Sequence, residues 1–222
     1  MKLIYKYIAR QFGKPTGCGG KISTLMMNCM NQKLYKEVVE HLDIRETDTV
    51  LDIGFGNGYL ICKLSNKCPQ KLYGIDISSD MLKAATRKNR KMIEEGKIEL
   101  KLANVQDLPF ENATIDKVYT INTVYFWQDI HRGFSEIRRI LKPNGIFLNV
   151  IYLKEWLDKL PITRYGFTKF TAEQIEKAIG ESELKIERFV EIEARKSICV
   201  IARKEIIIHQ SNEESINHQQ KK

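Results

Sequence analysis

Apolar positions along the chain change their period several times, and each change marks an element. Over residues 24–43, Met26, Met30, Leu34, Val38 and Leu42 recur at four-residue steps, which is one stripe of an amphipathic helix. Thr49 to Ile53 is a short run with β-branched residues and reads as a buried strand running into a glycine cluster. Residues 61–67 have helical character, and 71–76 form a second short strand ending in an acid. Ser78 or Ser79 is placed to cap a helix over 79–96, with Gly96 as its terminator. Residues 98–104 alternate as a strand, and 114–127 open as a fourth, buried one. A helical pattern over 131–141 stops at the turn residues Lys142, Pro143, Asn144 and Gly145, and 146–153 is a fifth strand. Thr171 with Gln174 forms a capping box opening a last helix. The runs 184–192 and 197–205 read as two closing strands, a hairpin.

Short apolar strands alternating with helices predict an α/β fold: a doubly wound, mostly parallel sheet covered on both faces. The stretch 154–170 is irregular and aromatic. The chain divides into a basic N-terminal arm or flap at 1–23, one domain at 24–208, and a polar, mobile tail at 209–222.

Composition narrows the class. The chain has 222 residues with 43% apolar and 29% charged, which excludes wholesale disorder, and no apolar run suffices to span a bilayer. The first residues are too broken by Lys and Arg for a signal-peptide core. Cys18, Cys29, Cys62, Cys68 and Cys199 are scattered without a CxxC pair, which points to reduced thiols, a cytoplasmic location and no metal site. The net charge of +8 is unevenly spread: residues 1–23 hold five basic residues and no acid. The remainder is nearly balanced, with 31 basic and 28 acidic residues. A nucleic-acid partner would call for a denser basic stripe interleaved with aromatics. The arm fits attraction of an anionic small substrate, or a solvated extension.

The chemistry concentrates at Asp52-Ile53-Gly54-Phe55-Gly56-Asn57-Gly58, between a strand and a helix. Glycines let the backbone turn sharply and approach a ligand, and the following helix offers free N–H groups. Such a loop sits where a doubly wound sheet binds ligands. A dinucleotide loop has the spacing G-x-G-x-x-G; here the third glycine comes one residue early, and Asp52 directly precedes the loop. An acid there sits poorly beside a pyrophosphate and suits a ligand with a cationic amine. Asp76 can hold ribose hydroxyls in either case.

Five ordered pieces carry a resemblance: VLDIGFGNG, the acid in LYGIDIS, NVQDLPF, TIDKVYTINTVYFW and LKPNGIF. With them the chain resembles class I S-adenosylmethionine-dependent methyltransferases, of the small bacterial type related to quinone-biosynthesis C-methyltransferases. The resemblance implies a Rossmann-like seven-stranded sheet with a C-terminal antiparallel hairpin, with 24–208 as the methyltransferase domain. It implies S-adenosylmethionine as cofactor, with Gly54, Gly56 and Gly58 shaping the loop past the methionine part and Asp52 ordering that loop and the amino group. Asp76 would accept both ribose hydroxyls, Ile77 and Met81 would pack on the adenine, and Asn104 and Val105 would read its edge. Asn122 would lie beside the methionine and face the substrate. The family more often has Asp where Asn104 stands; the amide oxygen can still accept from the adenine amino group.

Methyl transfer from a sulfonium asks mainly for alignment in a dry cavity. Residues expected around the acceptor are Tyr5 and Phe12 from the flap, Tyr125 and Trp127 beyond the fourth strand, and Tyr152 and Tyr165 from the fifth strand and the loop after it. His131 and Tyr125 are the candidates for a catalytic group, though His131, like Asp129, can also cap its helix. The expected partner is a small-molecule methyl acceptor. Two alternatives remain: methylation of RNA or protein through the basic arm, or an NAD(P)-binding oxidoreductase.

Overall fold

The computed structural model describes residues 2–67 and 69–206. The chain opens with three helices, α1 (Lys2–Gly13), α2 (Gly17–Met30) and α3 (Gln32–His41). Strand–helix alternation follows: β1 (Thr49–Ile53), α4 (Tyr59–Ser65), β2 (Lys71–Asp76), α5 (Ser79–Lys88), α6 (Arg90–Glu94), β3 (Ile98–Leu102) and β4 (Ile115–Ile121). The second half holds α7 (Ile130–Ile140), β5 (Leu141–Tyr152), α8 (Lys154–Leu157), α9 (Ala172–Glu181), β6 (Lys185–Glu193) and β7 (Ser197–Arg203). Two 3₁₀ turns, Val124–Phe126 and Pro161–Arg164, flank the region that matters below.

The sheet has seven strands in the order β3-β2-β1-β4-β5-β7-β6. Only β7 runs against its neighbours, pairing antiparallel with β5 and β6. This is the doubly wound, Rossmann-like sheet with a C-terminal hairpin that the sequence predicts. Winding goes outward from β1 to β3 and then restarts at β4 beside β1, so a crevice opens at the carboxyl ends of β1 and β4. Both faces of the central strands are buried, with Val50, Leu51, Val118, Tyr119 and Phe147 inaccessible to solvent. Gly74 in β2 explains the close packing there: a Cβ would lie 2.7 Å from Ile61 and 2.8 Å from Leu100 and Phe55.

Several expectations are corrected. The helix over 24–43 is two helices, broken at Asn31, whose backbone leaves the helical region (φ −89°, ψ 7°). Beyond the break Leu34, Val38 and Leu42 are buried, but Met26 and Met30 are exposed, so the stripe does not continue into α2. The helix over 79–96 is also two, interrupted at Asn89, whose amide donates to Gly58 O at 3.2 Å and Ala85 O at 2.9 Å. Asn is prone to such side-chain-to-backbone competition. Lys142 to Gly145 belong to β5, in a stretch where its pairing with β4 shifts register and Asn144 takes φ 63°. The arm at 1–23 contains α1 and the first turns of α2. The tail at 209–222 lies outside the described residues. Ser78 caps α5 and the Thr171–Gln174 capping box is formed. Among the described residues no helix is long and apolar enough to cross a membrane, and no group of His, Cys, Asp and Glu is arranged to hold a metal ion.

Candidate functional site

The carboxyl ends of β1, β2 and β4 open into a cavity roofed by α2 and α3. Its floor is the turn after β1. Gly56 has φ 55° and nothing within 4 Å of where a Cβ would stand, so this backbone faces open space. Gly58 serves the fold instead: at φ 70°, its Cβ would lie 2.6 Å from the Asn89 amide and 2.8 Å from Ala85. It lies off the cavity wall because it lets α4 approach α5.

Two carboxylates stand at the strand ends. Asp76 accepts from Gly56 N at 2.9 Å and Ser78 N at 2.8 Å, which fixes the turn after β1 to the start of α5. Asp52 accepts from Tyr119 Oη at 2.7 Å across the β1–β4 pair. Burial pushes the Asp52 carboxyl up to about 8 and that of Asp76 up to about 6; the Tyr119 hydroxyl and the backbone N–H groups, respectively, oppose the shift. Both line the cavity, which has no lysine, arginine or histidine on its wall among the described residues. The site therefore holds acid without a cation to answer it.

The roof is a chain of amides. Asn122, in the left-handed region at φ 57°, donates from Nδ2 to Asn31 Oδ1 at 3.1 Å and accepts Tyr152 N at 3.2 Å. Tyr35 donates to Asn28 Oδ1 at 2.9 Å, and Asn28 Nδ2 donates to Asn57 Oδ1 at 3.3 Å. These bonds tie α2 and α3 to the glycine turn and to the end of β4.

The mouth is aromatic. Phe12, Phe126 and Trp127 line it, and Phe167 packs behind, 4.7 Å from Phe126 and 6.3 Å from Phe12 between ring centroids. Helix α1 comes so close that a Cβ on Gly13 would lie 2.8 Å from the Phe126 ring. The connection to α2 is pinned to the body twice: Ser78 Oγ donates to Pro15 O at 2.6 Å, and Gly17 N donates to Asp80 Oδ2 at 2.8 Å. Ser78, whose N–H also donates to Asp76, thus joins the α1–α2 hairpin to the end of β2.

Of the residues singled out in the sequence, the structure gathers Asp52, Gly54, Gly56, Asp76, Ile77, Asn104, Val105, Asn122, Phe12 and Trp127 on one wall. Others lie elsewhere. Met81 is buried beneath α2, 3.5 Å from Thr24 Oγ1. Tyr125 is buried in the core, with Oη accepting Tyr152 N at 2.6 Å and donating to Tyr152 O at 2.8 Å; burial holds its hydroxyl well above the ordinary tyrosine range. It supports Asn122 and does not face the cavity. Tyr152 donates to Met30 O at 3.1 Å and braces the roof. His131 is on the outer face of α7, paired with Glu181 at 3.0 Å, and Asp129 is the N-cap, accepting from Arg132 N at 3.0 Å. Tyr5 is on α1 away from the cavity, and Tyr165 lines a neighbouring groove.

Sequence reasoning missed Tyr119, Asn28, Asn31 and Tyr35. The last three carry a signal: they fall at i, i+3 and i+7, a polar stripe beside the apolar one. Tyr119 had none, since a tyrosine in a buried strand reads as core.

Comparison with known proteins agrees with this architecture. A methyltransferase domain family matches residues 51–149, from β1 into the last third of β5. The uncharacterized methyltransferase YdaC of Bacillus subtilis is 29% identical over 184 residues, covering 82% of this chain and 98% of YdaC. Demethylmenaquinone methyltransferase of Symbiobacterium thermophilum is 31% identical over 145 residues, covering 64% of this chain and 58% of that enzyme. Among solved structures, a complex of the Haloferax volcanii Trm112 methyltransferase activator with a methyltransferase matches at TM-score 0.72 and 20% identity, over 82% of this chain and 94% of that one. The matched domain, the similar proteins and the sheet topology together make the chain similar to methyltransferases in both sequence and fold.

Proposed function

We propose that the chain transfers a methyl group from S-adenosylmethionine to a small-molecule acceptor bound under the aromatic mouth. The observation that carries this reading is the cavity wall: two buried carboxylates and, among the described residues, no lysine, arginine or histidine. Leaving a carboxylate buried without a counter-charge is costly, so the pair calls for a cationic ligand. An ammonium and a sulfonium answer that need; the pyrophosphate of a dinucleotide would add to it.

In this reading the site residues divide the cofactor among them. Asp76, held by Gly56 N and Ser78 N, keeps a free lone pair on each oxygen for the ribose hydroxyls. Asp52, oriented by Tyr119, faces the ammonium. The open space above Gly56 admits the chain between them. Ile77, with Asn104 and Val105, borders the adenine; Asn104 Oδ1 already accepts from Gln106 N at 3.0 Å, which fixes the amide's orientation. When bound, the cofactor supplies an activated methyl group on sulfur. The protein then contributes alignment and exclusion of water, with the roof amides and Phe126 defining the direction of approach. No histidine borders the cavity among the described residues, so the acceptor is one that needs little help in losing a proton.

The α1–α2 hairpin acts as the flap over this site, which favours a small acceptor over a macromolecule: α1 closes the mouth that an RNA or protein strand would have to enter. Incubation with methyl-labelled cofactor and a cell extract, followed by separation into small-molecule, RNA and protein fractions, tests this. Label in the small-molecule fraction supports the reading; label confined to RNA or protein contradicts it.

A further inference from the structure

Just outside the aromatic mouth lies a second groove, formed by Lys6, Ala9, Arg10 and Lys14 with Arg164 and Tyr165. It shares Gly13, Ile77 and Phe126 with the inner cavity, so the two adjoin across these residues. Resting on the methyltransferase reading above, we propose that this groove binds a polyanionic head group of the methyl acceptor, phosphoryl or polycarboxylate, while the rest of the acceptor reaches past Phe126 to the inner cavity.

Three observations carry it. First, four cations converge from two distant parts of the chain, α1 with its following residue and the turn Pro161–Arg164, and no acid lines the groove among the described residues. Second, none of the four is paired: Lys6, Arg10, Lys14 and Arg164 make no ion pair among the described residues, although lysines and arginines elsewhere on this surface pair repeatedly with acids. Third, the arrangement costs the helix something. Lys6 and Arg10 stand four residues apart in α1, where like charges at that spacing destabilise a helix, Lys14 follows just past its end, and α1 has no acid to offset them. A merely solvated face has no need of this. Arginine forks suit phosphoryl and carboxylate oxygens, and Tyr165 gives the groove an aromatic edge.

The groove also solves a problem posed by the inner cavity. The inner cavity carries two carboxylates and no cation among the described residues, so it offers an anionic group nothing to pair with. An anion held at the mouth places the acceptor at the opposite electrical pole from the cofactor, so the two ligands sort themselves between the sites.

Full-length protein is titrated with inorganic pyrophosphate and, separately, with citrate at low ionic strength, and with S-adenosylhomocysteine in parallel. The same is done for the double variant Arg10→Gln/Arg164→Gln, whose positions are exposed, and for Lys6→Gln/Lys14→Gln. The expected result is binding of at least one polyanion, weakened roughly tenfold or more by either double variant, with S-adenosylhomocysteine affinity unchanged. Preference for pyrophosphate identifies a phosphoryl head group, and preference for citrate a polycarboxylate. Polyanion binding that both variants retain, no binding of either anion, or tight binding of a single-stranded RNA that pyrophosphate fails to displace overturns the proposal. Loss of S-adenosylhomocysteine binding alone, in wild-type protein that still binds the anion, would instead overturn the cofactor reading.

Discussion

The inner cavity and the outer groove are neighbours of opposite charge and opposite construction. The cavity stands on the carboxyl ends of three sheet strands, its acids buried and locked by backbone N–H groups and a tyrosine. The groove is made by an exposed helix and a 3₁₀ turn, its cations solvated and without an ion pair among the described residues. On the function proposed above, the difference teaches how one small chain would hold two ligands in reactive contact. Rigid, desolvated acids fix the ligand that must be aligned most closely, since electrostatic interactions strengthen away from water. Mobile, hydrated cations collect the ligand that must enter and leave.

The largest effect that breaks this comparison is expected from Gly56→Val. The side chain would fill the open space above the turn and, at φ 55°, strain it by roughly 1–2 kcal/mol. Calorimetry should show S-adenosylhomocysteine binding abolished while polyanion binding at the groove persists. Asp76→Ala comes next. It removes a charged acceptor and leaves Gly56 N and Ser78 N unpaired, so cofactor affinity should fall by about 1.5–3 kcal/mol.

The pH dependence sharpens the comparison. Asp52 and Asp76 have folded pKa values raised to about 8 and about 6 from an ordinary 3.8. Between those limits the folded state binds more protons than the unfolded chain, so their contribution to stability is present at low pH and is lost as pH rises through 6 and 8. Thermal unfolding of the free protein should therefore show this component declining toward alkaline pH. The ammonium and sulfonium of S-adenosylmethionine would answer the ionised acids, so the gain in melting temperature on adding S-adenosylmethionine should be larger above pH 8 than below pH 6. Ser78→Ala is expected to have the smallest effect. It removes the α5 cap and the bond to Pro15 O, costing about 1 kcal/mol by denaturant unfolding and loosening the α1–α2 hairpin.

The two regions were unequally legible from sequence. The strands and the glycine turn announce themselves because parallel strands are continuous apolar runs and because a sharp turn needs glycine; Asp52 and Asp76 follow from their places at strand ends. The roof and the mouth depend on tertiary contacts. The helix breaks at Asn31 and Asn89 arise where amides serve distant partners, Asn122 and Gly58, which local periodicity does not register. His131 looked eligible because α7 begins near β4, but its position on the helix turns it outward to Glu181. Tyr125 and Tyr152 are adjacent through a hydrogen bond between residues far apart in sequence and serve packing. The segment 1–23 could be read as a basic arm or flap; that Gly13 lets α1 meet Phe126 is visible only in the fold.

The central claim is that the acid-lined, base-free cavity takes a cationic S-adenosyl ligand. Parallel calorimetric titration with S-adenosylmethionine, S-adenosylhomocysteine and NADH tests it most directly. The account predicts saturable binding of the first two and none of NADH. Binding of NADH alone would contradict it, since a pyrophosphate would then be lying against Asp52 and Asp76.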